Sequence, residues 1–331
     1  MSEKRQHAAV VYHPLKTDVD ALANAVERHE SRCGFGPTLW YATRAHDSGQ
    51  SAVERALEDE PAVVLASGGD GTIRTAAEVM RGRGVPLAII PQGTGNLMAR
   101  NIGEPLTNID EQARAAFSGE NFPIDLGVAE IIRENNTTQE HVFLVLAGMG
   151  LDARAIVATN PKLKKTFGWL AYVDAGLRTI FTERPLQLTY RADGGARRSL
   201  KVFTAMVGNC GLLPGGVLLI PDAKMDDGKL DVVALRPLRR LGPFSWLRII
   251  NKIGWENGVL RRSRTGRKII DLVHDAKSVT YRQVKNIELF VDRPEPVQLD
   301  GDDFGKAVQV RTRVDPGALT LRVLPQWDAR I

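Results

Sequence analysis

AVVLASGGDGTIRTAAEVM, residues 62–80, reads as a strand, a glycine-rich turn and the start of a helix. Residues 62–66 are apolar without interruption, the pattern of a strand buried on both faces of a parallel sheet. Gly68, Gly69 and Gly71 let the backbone come close to a ligand, and the helix that Thr72 opens, expected over 72–81, points free N–H groups at anionic oxygens. Phosphate is the natural guest. The segment is not a GxxxxGK[ST] loop, because no Lys stands where that motif needs one. Asp70 is the odd residue, since a carboxylate repels phosphate unless a divalent cation lies between them or it handles a proton. The alternative is that Asp70 caps the helix and the glycines only make a tight turn.

Outward from this stretch the first third repeats the alternation of short β-branched runs and longer amphipathic ones that marks a parallel sheet covered by helices. Strands are expected near 8–12, 38–42, 62–66 and 87–90, and helices near 18–32, 48–58, 72–81, 95–102 and 108–118. Two more strand ends run into polar turns, His13-Pro14 and Pro91-Gln92-Gly93-Thr94-Gly95-Asn96. In an open parallel sheet such turns gather along one edge, where ligands bind. Thr94 and Asn96 supply neutral hydrogen-bonding groups beside Gly93 and Gly95, and two phosphate-type loops suit a polyphosphate better than a single anion. Taken alone, the second loop is also compatible with an ordinary Pro-Gly turn with Asn96 as a helix cap.

From about residue 125 many short strands follow, separated by Gly, Pro and Asp turns, which predicts an antiparallel sandwich or barrel. Candidates are 141–147, 186–191, 200–208, 230–235, 279–282, 286–291, 308–313 and 318–324. Helical interruptions are expected at 162–182 and after Pro237. The reading is an α/β domain, residues 1–124 with 325–331 returning to it, and a β domain, 125–324, that carries a basic helical insertion at 238–268. A chain of 331 residues is long enough for two cores.

Net charge is +5, but residues 236–268 hold ten Lys or Arg against Glu256 alone, so the rest of the chain is slightly acidic. A single basic segment points to a local anionic surface as partner. Within it Trp246 and Trp255 are interleaved with Ile and Leu and followed by Arg261, Arg262 and Arg264, the composition of a helix lying in an anionic bilayer interface. The alternative is a helix packed on the sandwich with a solvated basic face. Lys162, Lys164, Lys165, Phe167 and Trp169 form a second such patch. No DNA or RNA module accompanies the charge, so nucleic acid is not the expected partner. Cys33 and Cys210 are the two cysteines, far apart and outside any Cys/His cluster, which fits a reducing cytosol and speaks against a disulfide framework or a zinc site. The opening apolar run that Pro14 stops is too brief for a signal sequence or a membrane span.

Taken together, GGDGTIRTAAEVM (68–80), PLAIIPQGTGNLMARN (86–101), IDLGVAE (124–130), LAGMGLDA (146–153), VGNCGLLPGGVLLIPDAKMDDGKLDV (207–232) and VQLDGDDFG (297–305) resemble the diacylglycerol kinase and sphingosine kinase superfamily, in particular its bacterial YegS-like lipid kinases. GGDGT is shared with NAD kinases and phosphofructokinases; its order with PQGTGN, PDAKMDDGKLD and LDGD is specific. The resemblance implies a Rossmann-like or phosphofructokinase-like nucleotide-binding domain joined to a β-sandwich, with ATP and lipid meeting in the cleft between them. It implies that Asp70 takes part in catalysis and in Mg²⁺ binding through water. Across the cleft it implies a carboxylate at the late motif, where Asp302 stands in place of the family's Glu. A further magnesium ion is implied at 224–229, held by the carbonyls of Lys224 and Lys229 and by Asp227; a plain turn with solvated acids is the alternative. His13 replaces the family's Asn, and Arg74 and Thr75 replace Asn and Glu in the helix after GGDGT, with Arg74 read as a solvated residue or as a phosphate contact.

The expected activity is phosphoryl transfer from ATP to the hydroxyl of diacylglycerol or a related lipid alcohol, in the cytoplasm at the inner face of a membrane, with a homodimer left open. The rivals are a small-molecule kinase of NAD kinase type and a non-catalytic lipid- or nucleotide-binding regulator on the same fold.

Overall fold

The computed structural model describes residues 5–44, 49–150, 185–213, 217–218, 220, 222–236 and 279–324. The expected helices at 162–182 and 238–268 lie outside the described residues. So do the second basic patch, Trp246, Trp255, Arg261, Arg262 and Arg264, and the chain end at 325–331.

Two compact units result, Met1–Leu126 with Lys224–Gly228 and Asp315–Ile331, and Gly127–Ala223 with Lys229–Val314. The first is built on the parallel strands β1 (Ala8–Tyr12), β2 (Leu39–Ala42), β3 (Val63–Gly68) and β4 (Leu87–Pro91), in the order β2-β1-β3-β4. Residues 87 and 321 pair in parallel, which places the end of the last strand beside β4. The helices are α1 (Val19–Arg32), α2 (Gln50–Glu58), α3 (Asp70–Met80), α4 (Leu97–Asn101) and α5 (Ile109–Ser118).

Local signals set these ends. Asp18 Oδ1 accepts from Ala21 N–H at 3.0 Å and starts α1, and Asn108 Oδ1 does the same for Glu111 N–H at 3.2 Å at α5. Ala8, Val10, Val63, Leu65, Ala88 and Ile90 line one face of the sheet and are packed with Leu22 and Val26 of α1 and Ala113, Ala116 and Phe117 of α5. The other residues of the same strands, Ala9, Val11, Val64, Ala66, Leu87 and Ile89, are buried as well, which is why the strands are apolar throughout. Arg74 is not solvated: it is 8% exposed and its guanidinium lies 3.8 Å from Glu78 one turn on.

Between α4 and α5, Glu104 is 8% exposed and its Oε1 makes no hydrogen bond with the described residues. Burial first, and the Glu111 carboxylate second, push its carboxyl up to about 7. The folded state therefore keeps a proton that the unfolded chain has lost, so stability falls as pH rises from the ordinary carboxyl range to about 7 and stays low above it. Replacing Glu104 with Gln is expected to leave the thermal midpoint unchanged at pH 4 and to add roughly 2 kcal/mol at pH 8. Thermal melts of both proteins across that range check this.

The second unit is antiparallel. Its strands are β6 (Thr138–Phe143), β7 (Leu146–Met149), β8 (Leu186–Ala192), β9 (Arg198–Val202), β10 (Thr204–Gly208), the short pair β11 (Leu212–Leu213) and β12 (Val217–Leu218), then β13 (Leu230–Leu235), β14 (Val279–Val284) and β15 (Asn286–Leu299). β5 (Glu120–Ile132) and β16 (Asp302–Val323) each contribute residues to both units. Strand pairing branches at β15. Its first half pairs with β8, which pairs with β9, while Val297–Leu299 pairs with β7 in the run β14-β13-β10-β7. Register shifts in β15 fall between Phe290 and Gln298, separating the half that pairs with β8 from the half that pairs with β7, as bulges do where a strand bends. Leu188, Val207, Leu230, Ile287, Leu289 and Val297 belong to the core of this unit.

Residues 124–130, which by resemblance mark the crossover into the second domain, lie in β5, and the boundary between the two units falls there, between Leu126 and Gly127. A β-carbon on Gly127 would stand 2.1 Å from the Phe143 ring. Other strand expectations need correction. The single strand read at 141–147 is interrupted at Leu144-Val145, whose backbone groups bond to side chains and to a neighbouring loop. The two strands read at 308–313 and 318–324 are one. Pro316-Gly317 does not break it, because Gly317 at φ +59° donates its N–H to Asp125 Oδ1 at 2.9 Å instead of to a strand.

Candidate active site

The order β2-β1-β3-β4 reverses direction between β1 and β3, and a crevice opens at the carboxyl ends of the strands flanking such a point. His13–Thr17 leaves β1 there and Gly68–Thr72 leaves β3. His13 donates its N–H to the Ser67 carbonyl at 2.9 Å, and its own carbonyl accepts from Lys16 and Thr17, both at 3.0 Å. Thr17 Oγ1 and Ser67 Oγ lie 2.9 Å apart in the interior and lock the two strand ends together. His13 Nδ1 accepts from Leu15 N–H at 3.3 Å, so a neutral ring carries its proton on Nε2. Pro14 is exposed at the tip of this turn.

The GGDGT and PQGTGN loops touch. A β-carbon on Gly93 would lie 2.8 Å from the Gly69 α-carbon, so no side chain fits at 93 without separating the two backbones. Gln92 donates its N–H to the Gly68 carbonyl at 2.8 Å, which continues the β3–β4 pairing into the loops. Asp70 is the first residue of α3, and the helix N-cap is Gly69 without a side-chain cap bond. Asp70 therefore does not cap its own helix. Its Oδ1 accepts from Leu97 N–H at 2.5 Å, tying the second loop to the first, and a β-carbon on Gly95 would stand 2.5 Å from Asp70 Oδ2, so a side chain there would displace that carboxylate.

Asn96, in the left-handed region at φ +47°, accepts from Gly93 N–H through Oδ1 at 2.8 Å, and the Arg100 guanidinium donates to the Gly95 carbonyl at 2.8 Å. These two bonds hold the loop open with Thr94 exposed at its tip. At the start of α3 the Thr72 and Ile73 N–H groups both donate to the Gly69 carbonyl, at 3.0 and 3.1 Å. Thr72 packs its side chain over Gly68, where a β-carbon would stand 2.6 Å from it. Sequence reasoning did not single out Lys16, whose Nζ lies 3.5 Å from where a β-carbon of Gly69 would stand.

In the second unit the LDGD segment is a two-residue hairpin. Leu299 pairs with Asp302, and Asp300 (φ +50°) and Gly301 (φ +87°) form the turn, the backbone signs of a type I′ hairpin. Asp302 is partly exposed as the first residue of β16. Asp300, by contrast, is a structural residue. It is 4% exposed, its Oδ1 accepts from Val145 and Leu146 N–H at 2.8 and 2.9 Å, and its Oδ2 accepts from Leu144 N–H at 2.8 Å. Asn209 Nδ2 donates to the Leu144 carbonyl at 3.1 Å from the other side. Cys210 is buried beside this knot, and burial together with the Asp300 charge pushes its thiol far above the ordinary range. It is a packing residue.

The 224–229 turn offers Lys224, exposed, and Asp227, partly exposed, with Lys229 exposed at its end. The turn is fastened through the buried Asp125, whose Oδ2 accepts from Gly228 N–H at 2.6 Å and whose N–H donates to the Met225 carbonyl at 2.6 Å. No group of three or more His, Cys, Asp or Glu side chains that could hold a metal occurs among the described residues. An ion at this turn would thus depend on main-chain oxygens beside Asp227, an all-oxygen set suited to a hard cation.

Residues 7–129 match the family model of the diacylglycerol kinase catalytic domain, and residues 145–255 match that of the YegS C-terminal NAD kinase beta sandwich-like domain. A Pseudomonas aeruginosa protein named a probable YegS-like lipid kinase is 32% identical over 276 residues, covering 82% of this chain and 80% of the relative. The diacylglycerol kinase of Bacillus subtilis is 28% identical over 240 residues, 70% of this chain and 74% of that one. In fold, a diacylglycerol kinase structure from Bacillus anthracis superposes with a TM-score of 0.65 at 17% identity, covering 99% of this chain and 100% of that one. A yeast NADH kinase superposes more distantly, with a TM-score of 0.51 at 10% identity over 99% of this chain and 86% of that one. A nucleotide-type pair of loops at the switch point, an LDGD hairpin on a sandwich and relatives matching across four fifths of the chain agree: the chain belongs to the diacylglycerol kinase superfamily of phosphotransferases, in its bacterial YegS-like lipid kinase branch.

Proposed function

We propose that the chain transfers the γ-phosphoryl group of ATP to the hydroxyl of diacylglycerol or a related lipid alcohol at a membrane surface. The observation that carries this reading is the contact of Gly69 with Gly93, which sets two glycine loops and the start of α3 side by side at the carboxyl edge of a parallel sheet. Such an edge offers backbone N–H groups to a chain of phosphates. His13 and Pro14 border it, Gly68, Gly69, Gly71 and Thr72 form one wall, and Gly93, Thr94, Gly95 and Asn96 form the other. Mg²⁺, when bound with the nucleotide, would neutralise the donor phosphates next to Asp70, the carboxylate shared by both loops.

In the transfer the lipid hydroxyl loses its proton to a carboxylate, its oxygen bonds to the γ-phosphorus, and the bond from that phosphorus to the β–γ bridging oxygen breaks to release ADP. Asp70 is the first candidate for the base or metal partner and Asp302 the second. A second Mg²⁺ at Lys224, Asp227 and Lys229 would serve the fold or its regulation. The basic 236–268 segment, with ten cations against one acid, supports work at the anionic inner face of a membrane. No helix among the described residues is long and apolar enough to cross one.

Radiolabelled ATP offered with mixed micelles of diacylglycerol, a sphingoid base or monoacylglycerol, and separately with NAD, tests this reading. Label in a lipid acid supports it and identifies the acceptor. Label in NADP alone would replace it with an NAD kinase, and nucleotide binding without any transfer would replace it with a regulator.

A further inference from the structure

The connection between α4 and α5 buries a carboxyl group with nothing to neutralise it. Glu104 is 8% exposed, and its Oε1 meets no hydrogen-bond donor among the described residues. The two helices that bracket it carry Arg100 on α4 and Asp110, Glu111 and Arg114 on α5 as their charged groups. Arg100 spends its guanidinium on the Gly95 carbonyl, Asp110 is taken up by Arg28 and His29 of α1, and Arg114 is exposed. Glu111 is left, and its charge repels that of Glu104. Gln112, 1% exposed, gives its amide nitrogen to the Pro105 carbonyl at 2.5 Å. A carboxyl so placed suits the interior only while it holds a proton.

Glu104 also ends a hydrogen-bonded piece that begins in the second glycine loop. Its N–H donates to the Ala99 carbonyl at 2.8 Å, Ile102 N–H to Met98 at 3.0 Å and Arg100 N–H to Asn96 at 3.0 Å. Asn96 Oδ1 in turn holds Gly93 N–H, and Asp70 holds Leu97 N–H. We propose that Glu104 is a proton-operated latch on the PQGTGN loop: protonated, it keeps α4 seated, and ionised, it draws the end of α4 outward and favours opening of the loop. Gly103, exposed at φ +66° with open space where a β-carbon would stand, is the point at which the chain swings to bring the carboxylate to water. The opened form has an ordinary carboxyl, whereas the closed one titrates at about 7. Opening is therefore promoted as pH rises from the ordinary carboxyl range to about 7, and levels off above it. The latch is independent of what the loop binds. At the nucleotide edge proposed above, its release loosens one of the two walls.

Amide hydrogen exchange of the native protein and of Glu104→Gln, without nucleotide, at about pH 6 and about pH 8 tests the latch, read as protection factors so that the intrinsic pH dependence of exchange drops out. The reporters are the amides of 93–104 that exchange by local opening, faster than the slowest amides of β1 and β3. In the native protein their protection should fall about tenfold between the two pH values, the ratio that linkage gives for a carboxyl at about 7 when closed and in its ordinary range when open. In Glu104→Gln, which keeps the shape of the side chain and cannot ionise, protection should not change. Equal protection at both pH values in the native protein would overturn the latch. So would an equal fall in Glu104→Gln, or a fall confined to amides that exchange by global unfolding. MgATP plays no part in the experiment, so its outcome and that of the nucleotide reading are separate.

Discussion

Asp70→Asn is expected to lower phosphoryl transfer about 1000-fold while leaving MgATP binding within a few-fold of the native value, general-base contributions of about 10² to 10⁴ setting the scale of the loss. The asparagine oxygen can still accept from Leu97 N–H, so the tie between the two loops survives and the glycine contact at residues 69 and 93 stays closed. What disappears is the negative charge, and with it the proton acceptor or the partner of the metal. Asp70→Ala removes the tie as well, so it should lose as much in turnover and additionally weaken MgATP binding. The comparison separates chemistry from architecture: a fall in kcat alone for Asn, and in both kcat and nucleotide affinity for Ala. Steady-state kinetics with radiolabelled ATP and a calorimetric titration of each variant measure it. Native turnover in Asp70→Asn would remove Asp70 from the chemistry and leave it as a strut.

Asp300→Ala is expected to destabilise the second unit by about 4 kcal/mol, more than most single substitutions cost. The backbone N–H groups of Leu144, Val145 and Leu146 lose the carboxylate that accepts from them and remain in the interior, and hydrogen bonds to a charged group contribute about 1.5–3 kcal/mol each, though not additively. Alanine must also adopt φ +50° at a turn position that favours Asn, Asp or Gly. Asp300→Asn accepts the same backbone angle and keeps one oxygen, so roughly half of the loss should return. Urea unfolding of the two variants decides this. A midpoint for Asp300→Ala near the native one would mean that the Leu144–Leu146 knot does not stabilise the sandwich.

Much of the first unit can be read from residues alone, for physical reasons. Val63, Val64, Leu65 and Ala66 are apolar without interruption because both faces of β3 are covered, so the strand announces itself. Asp18 and Asn108 mark the starts of α1 and α5 as caps usually do. The glycines at 69, 93 and 95 signal a close approach, although which atoms approach is a tertiary matter: Gly95 is reserved for the Asp70 carboxylate and Gly93 for the Gly69 backbone. Lys16 left no signal in the sequence, being one lysine among many until the strand order sets its turn beside β3.

In the second unit, local pattern misleads where strands exchange partners. Pro316-Gly317, at the end of β16 that returns to the first unit, looks like a turn, but the buried Asp125, almost two hundred residues earlier, takes up the Gly317 N–H and the strand runs on. Leu144-Val145 looks like strand, but Asp300 and Asn209 take its backbone groups out of the ladder. Asp300-Gly301 did carry a usable signal, since Asp-Gly between strand-forming residues is a strong mark of a two-residue hairpin. Reading it would have separated the structural Asp300 from Asp302.

Backbone N–H groups of two touching loops are the proposed grip on the phosphates of ATP, and the activity stands or falls with that grip. Amide hydrogen exchange, followed by mass spectrometry with and without saturating MgATP, addresses those N–H groups themselves. Slower exchange in both 68–72 and 92–97 on adding MgATP is the predicted result. Binding of MgATP with protection elsewhere in the chain and none in either loop would contradict it.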